Sequence, residues 1–284
     1  MRIDDFLKLT EDLLPADTAM EGDRLGLQVQ SGRTEIRSLM MTLEVNDELI
    51  DEAIAENCDC IVTFHPLIFM PMTEIRDDDR VGRLCSKLIS NSIALISAHT
   101  NFDAYIEGTS KILADRLGLK VTGFLEADRK YENKGMGVTA EPEKPMTQSE
   151  LLAKVYNVCN SPLRYSPLTE DKKIDKIAIV GGSGTSFTDS VIECGAQAFI
   201  TADLTYHKFH AADGTMMLID PGHYETEQFV PAGMARLLEE NLDKKDYDKI
   251  IVSAVLTNPV RYYPKSAEYI EKQKEYLNNN KLTV

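Results

Sequence analysis

No apolar run in this sequence approaches the length of a membrane span. The opening residues, Met1-Arg2-Ile3-Asp4-Asp5-Phe6, carry acids where a secretory leader has a basic and then an apolar stretch. Both lacks point to the cytoplasm. A disulfide framework is missing too: the five cysteines are odd in number and contain no Cys-x-x-Cys pair. Cys58 and Cys60 would share one face of a strand, where buried packing is expected of them rather than metal binding. Basic residues are scarce. Against 46 Asp and Glu stand 31 Lys and Arg, a net charge of −15, which argues against nucleic-acid and anionic-membrane partners. There is no low-complexity tract, no short-period repeat and no Walker Gly-Lys-Ser/Thr.

What remains is a globular composition of 43% hydrophobic and 27% charged residues over 284 positions, room for one large domain or two ordinary ones. The most informative stretch is Cys60-Ile61-Val62-Thr63-Phe64-His65-Pro66. An apolar, β-branched run rises into a histidine, and a proline that cannot donate to a sheet stops it. His65 is therefore expected at the carboxyl end of a strand, the edge where open parallel sheets bind ligands. Around it the chain alternates. An amphipathic helix is expected over about 2–14, a turn at 22–27 leading into an extended segment, and strands at 38–44 and 93–98. Asn46 caps a second helix, a third covers about 79–91, and a fourth runs from Thr109 or Ser110 to Gly118. Such alternation signals a parallel sheet covered by helices, with Glu44, His65 and the His99-to-Asp103 segment on one edge.

Composition shifts after Phe124, and a domain boundary is placed near 126. Beyond it the α/β rhythm resumes, with strands at 135–140, 177–180, 198–201, 216–220 and 250–255. Helices are expected over 148–160, through Val191 and Ile192, and through Leu237, with Pro231 in the first turn of the last or kinking it. A polar helix or partly ordered end covers 266–280. Gly181-Gly182-Ser183-Gly184 reads as a strand-to-helix loop, either a plain turn or a phosphate cradle. Thr205 to His210 reads as surface, second shell or substrate contact.

Three of the five histidines, His65, His99 and His223, follow apolar strands; His207 and His210 do not. His223 and Glu227 share a face if their segment is helical, and His99 and Asp103 repeat the spacing. Mixed imidazoles and carboxylates suit zinc, manganese or iron. The alternative is that His99 and His223 merely satisfy backbone groups at strand ends.

Five motifs occur in order: Thr63-Phe64-His65-Pro66-Leu67-Ile68-Phe69, Ala98-His99-Thr100-Asn101-Phe102-Asp103, Val180-Gly181-Gly182-Ser183-Gly184, Thr201-Ala202-Asp203 with Tyr206-His207, and Asp220-Pro221-Gly222-His223-Tyr224-Glu225-Thr226-Glu227. Together they resemble the Nif-three-like family, whose members are often called GTP cyclohydrolase 1 type 2 homologues. The resemblance implies two α/β domains, with largely parallel or mixed sheets, and a dinuclear metal site in a cleft between them. It also implies a homohexamer. The metal-binding domain would comprise 1–126 and about 215–284, with a smaller one at about 127–214.

Carried over position by position, the implied metal ligands are His65, Asp103, His223 and Glu227. The family's first motif has two adjacent histidines, and Phe64 stands where the first would be. One or two divalent ions per chain therefore remain open. His99 could replace the missing nitrogen, or serve as a second-shell or proton-transfer group. The activity implied is metal-dependent hydrolysis of a nucleotide or related phosphorylated small molecule. The alternative is a non-catalytic, metal-binding oligomeric scaffold or regulatory protein.

Overall fold

The computed structural model describes residues 1–168, 172–212, 214–263, 271–272 and 274–275. In chain order it begins α1 (Ile3–Leu13), β1 (Gly26–Val29), β2 (Ser38–Thr42), α2 (Asp47–Ala55), β3 (Cys60–Thr63), α3 (Arg80–Ser90), β4 (Ala94–Ser97) and α4 (Thr100–Asp103). There follow α5 (Thr109–Arg116), β5 (Lys120–Ala127), β6 (Gly135–Glu141), α6 (Gln148–Cys159), β7 (Arg164–Ser166), β8 (Ile177–Ser183) and α7 (Thr188–Cys194). The chain continues through β9 (Ala198–Ala202), α8 (Tyr206–Ala211), β10 (Met217–Asp220), α9 (His223–Glu227), α10 (Val230–Asn241) and β11 (Lys249–Val252). Contacts divide it into two compact units. Met1–Phe102 and Val230–Arg261 belong to the first, and Asp103–Phe229 with Tyr262 to the second.

The first unit holds a sheet of order β1-β4-β3-β2-β11. Its three central strands and β11 are parallel, and β1 closes one edge antiparallel to β4. β2, β3 and β4 are buried at every position, which is why they read as continuous apolar runs rather than alternating ones. Met40, Leu49, Ile50, Ile61, Leu84 and Leu95 share one core cluster. Each such side chain contributes about 1.5–3 kcal/mol by leaving water. The helices start where polar side chains supply acceptors. Asn46 accepts from the Leu49 amide at 2.8 Å, and Asp79 from that of Gly82 at 2.8 Å. Pro231 lies in the first turn of α10, where its missing N–H has no intrahelical partner to lose. Cys58 and Cys60 are both buried, and burial pushes the Cys58 thiol up to about 11 and that of Cys60 higher still.

The second unit holds a mixed sheet of order β5-β6-β8-β9-β10-β7. β8, β9 and β10 are parallel; β5, β6 and β7 pair antiparallel with their neighbours. Thr147 and Glu150 form a capping box at the start of α6.

Several features depart from the sequence reading. The division falls earlier than 126, because β5 pairs along its length with β6 and so goes with the second sheet. It also falls later than 214. β10 hydrogen-bonds to β9 and β7, which carries His223 and Glu227 into the second unit. Gly181, Gly182 and Ser183 are not a loop but the end of β8, with Ser183 opposite Ala202. β7 was not anticipated at all. Of the tail helix expected over 266–280, only 271, 272, 274 and 275 fall within the described residues, and they are helical.

Candidate metal centre

In the first unit, strand register explains what gathers at the sheet edge. Thr42 lies opposite Thr63, and Thr63 opposite Ser97. Two residues beyond these positions in sequence, just past the strand ends, stand Glu44, His65 and His99. Backbone hydrogen bonds tie these segments together past the strand ends, with the Phe64 amide donating to Thr42 O at 3.0 Å, that of His65 to Leu43 O at 2.9 Å and that of Ala98 to Thr63 O at 3.0 Å. The His65 ring pairs through Nδ1 with Glu44 Oε1 at 2.8 Å. The His99 ring pairs in the same way with Asp23 Oδ1 at 2.8 Å, and the Thr100 amide and hydroxyl donate to the other Asp23 oxygen. Burial works against the Asp23 charge, but the His99 and Thr100 hydrogen bonds outweigh it and hold the carboxyl well below its usual range.

Phe64 stands with its ring 5.1 Å from that of His65 and 5.2 Å from that of His99. It is fully buried, its ring 6.4 Å from that of Phe102 in a T-shaped contact.

In the second unit the Pro221-Gly222 turn, with Gly222 at φ +104°, starts the five-residue helix α9. One helical turn places the His223 and Glu227 side chains together, Nε2 to Oε2 at 3.1 Å, with the Glu227 side chain only 4% exposed. The His223 Nδ1 pairs with Asp203 Oδ2 at 2.6 Å. Asp203 sits just past β9 in the left-handed region, φ 57°, a conformation that aspartate tolerates better than most residues. Burial disfavours the His223 charge, but the hydrogen bonds to Asp203 and Glu227, reinforced by their charges, raise its pKa to about 11. The same contact lowers Asp203.

The end of β8 forms the wall against this pair. Gly182, at φ +62°, donates its amide to Thr226 Oγ1 at 2.9 Å, which docks α9 on the sheet. A Cβ at Gly182 would lie 2.2 Å from Glu227 Oε1 and 3.2 Å from His223 Nε2. The backbone is glycine there because the carboxylate occupies the side-chain space. The amides of Gly181, Gly182 and Gly184 all donate to protein hydroxyls, those of Ser110, Thr226 and Thr201. A phosphate cradle needs such amides turned to a ligand. These are turned inward, so the phosphate expectation fails at this run.

Of the four residues singled out as ligands, the second unit brings His223 and Glu227 into contact. His65 is held by Glu44 in the first unit, and half-buried Asp103 ends α4 at the start of the second. His207 and His210 lie exposed on α8 against the Tyr206 ring. Sequence reasoning gave Asp203 no role. Its signal was a carboxylate directly after an apolar strand, the same signal that pointed to Glu44.

A family model described as Duf34/NIF3 (NGG1p interacting factor 3) matches residues 1–259. The chain belongs to the Duf34/NIF3 family. NIF3-family relatives carrying the name GTP cyclohydrolase 1 type 2 homolog include one from Clostridium acetobutylicum, 32% identical over 268 residues, covering 92% of this chain and 99% of the relative. A second, from Clostridium perfringens, is 31% identical over 266 residues, 92% of this chain and 100% of the relative. Among solved structures, the Staphylococcus aureus hypothetical protein SA1388 superposes with a TM-score of 0.84 at 26% identity, covering 92% of this chain and 99% of that one. No helix among the described residues is long and apolar enough to cross a membrane.

The donor chemistry of this NIF3-family chain fits a metal ion. His223 and Glu227 form a histidine–carboxylate group of the kind that holds one. Asp203 stands behind the imidazole, as a carboxylate commonly does behind a metal-bound histidine. Gly182 makes room for the Glu227 carboxylate, whose Oε1 a Cβ there would meet at 2.2 Å.

Proposed function

We propose that this chain binds divalent metal through His65, Asp103, His223 and Glu227 and hydrolyses a nucleotide or related phosphorylated small molecule. The observation that carries the reading is the His223–Glu227 pair, backed by Asp203 and facing a glycine whose Cβ would collide with it. The nucleotide class comes from the name of the relatives, GTP cyclohydrolase 1 type 2 homolog. A bound ion would supply Lewis acidity and lower the pKa of a coordinated water. The protein's own part is to orient donors. Asp203 fixes the His223 ring, Glu44 fixes that of His65, and Thr226 anchors the helix that carries Glu227. Zinc, manganese and iron all suit the donor set. Homo-oligomeric, hexameric assembly in the cytoplasm belongs to the same proposal.

A second reading, a metal-binding scaffold without turnover, is favoured by Phe64, which puts a buried ring where the resemblance implies a ligand. Elemental mass spectrometry on protein purified without added metal, followed by turnover on a nucleotide panel, separates the two. The hydrolase reading expects bound metal and turnover abolished both by chelation and by Asp103→Ala. Turnover that survives both would sink it, and bound metal with no turnover on any nucleotide would leave the scaffold.

A further inference from the structure

We propose that the first unit carries a binding cleft for a phosphate monoester, formed by Arg80 and Arg261 beside the start of α2. The inference deepens the reading above by giving its phosphorylated small molecule a place to bind. It rests on that reading only for the link between the cleft and hydrolysis, since the binding itself requires no metal.

A cavity of about 570 Å³ lies past the carboxyl ends of β2 and β11, within the size range of small-molecule sites. Two segments of the first unit build it. One runs from the end of β2 into α2, from Glu44 to Glu48, and the other follows β11 as far as Arg261. Arg80, at the start of α3, joins them.

Charge sets this cavity apart. In a chain with 46 acids and 31 bases, arginines readily find carboxylates: Arg33, Arg37 and Arg83 have one at 3.0, 2.7 and 3.1 Å. Arg261 has none among the described residues. Its Nη1 donates to the backbone carbonyls of Asn258 and Val260, and the buried Asn258 side chain accepts from the Val260 amide at 2.9 Å. Arg80 donates through Nη2 to Val45 O at 2.7 Å, with Glu44 Oε2 beyond hydrogen-bonding distance at 3.6 Å. Each guanidinium is thus anchored through one terminal nitrogen. Its Nε and other terminal nitrogen have no partner among the described residues. A planar fork held in this way suits phosphate oxygens, which it binds two at a time.

Two such charges match a phosphate monoester, which carries about −1.5 to −2 at pH 7. The acids lining the cavity are mostly engaged elsewhere. Asp47 pairs with Arg83 and Lys87, and Glu44 holds the His65 ring at 2.8 Å. Glu48 has no basic partner among the described residues, so it offers an acceptor to N–H or O–H groups at the other end of the ligand. A nucleoside 5′-monophosphate has both ends. Glu44 also ties the cleft to the candidate metal centre, because it lines the cavity and fixes His65.

The test uses the full chain, stripped of metal and checked by elemental mass spectrometry. Calorimetric titration follows the four ribonucleoside 5′-monophosphates, the matching nucleosides and inorganic phosphate. At least one monophosphate is expected to bind with a Kd of about 1 mM or tighter, and its nucleoside about tenfold more weakly or worse. Arg80→Gln and Arg261→Gln should each weaken that monophosphate by about tenfold or more. Arg261→Lys should restore only part of the loss, since it returns the charge without the fork. Arg129→Gln removes the same charge from an exposed position in the second unit and should change nothing. Urea midpoints report whether the variants fold. If Arg80→Gln does not, the Arg261 variants decide, because that side chain bonds only to nearby backbone. Failure of every monophosphate to bind, or binding indifferent to both arginines, would overturn the cleft. Metal uptake by the native chain would then still leave the metal reading standing. Arginine-dependent binding in a chain that takes up no metal would keep the cleft and overturn the hydrolase.

Discussion

Replacing Gly182 by alanine should separate two costs that usually arrive together. The residue sits at φ +62°, where an L side chain is strained by about 1–2 kcal/mol whatever surrounds it. Its Cβ would also lie 2.2 Å from Glu227 Oε1, closer than two such atoms approach. Gly195 provides the control for the first cost alone: φ is +73° and no atom lies within 4 Å of its Cβ. Gly195→Ala is therefore expected to lose about 1–2 kcal/mol, from backbone conformation only. Gly182→Ala should lose that amount plus the overpacking cost, typically about 1–3 kcal/mol. Gly181→Ala supplies a steric control on the other side, since its Cβ would meet Thr109 Cγ2 at 2.4 Å while staying 3.9 Å from Glu227 Cγ.

Urea unfolding of the metal-free variants gives the energies, and metal titration gives the consequence for the site. Gly182→Ala alone should lose metal affinity beyond what its stability accounts for, because relief of the clash moves the Glu227 carboxylate away from His223. If Gly182→Ala costs no more than Gly195→Ala and binds metal like the native chain, Glu227 is not held against β8. The donor pair would then lose its main support.

Phe64→Ala should destabilise by about 3–5 kcal/mol in urea, since the ring is wholly buried against Phe102; a loss under 1 kcal/mol would contradict that burial. Four of the five thiols are buried, so a thiol-specific reagent should modify only half-buried Cys194 in the native protein and all five after unfolding; rapid labelling of Cys58 or Cys60 would be the contrary result. Lys134 has its ammonium pulled by burial from 10.5 to about 8, so between those values the unfolded chain binds more protons than the folded one, and this group makes stability rise with pH. Lys134→Met should consequently gain most on the native protein below pH 8, and the difference, read from urea midpoints, should shrink towards pH 10.5; a difference that does not vary with pH would refute the shift.

The first sheet was legible because its strands are buried on both faces, so Leu39-Met40-Met41, Ile61-Val62 and Ala94-Leu95-Ile96 read as apolar runs that stop at Glu44, His65 and His99. The caps were legible for a similar reason: Asn46 and Asp79 announce helix starts through chemistry local to the chain. What failed was whatever depends on a partner distant in sequence. β5 carries Lys120, Thr122 and Glu126 and is partly exposed, so nothing in its composition marks a strand until β6 pairs with it. The glycines at 181 and 182 suggested a loop because glycine usually signals one. They are strand residues, and their small size answers to Thr109 and Glu227, one more than seventy positions earlier and the other more than forty later.

The same distinction divides the candidate site. His223 and Glu227 could be paired from spacing, since one helical turn fixes their relation. Asp203 and Asp23, the carboxylates that orient His223 and His99, are joined to them only by the folded chain. Local patterns identified the candidate donors. Tertiary pairing supplied the groups that aim them, and the aim decides whether donors become a site.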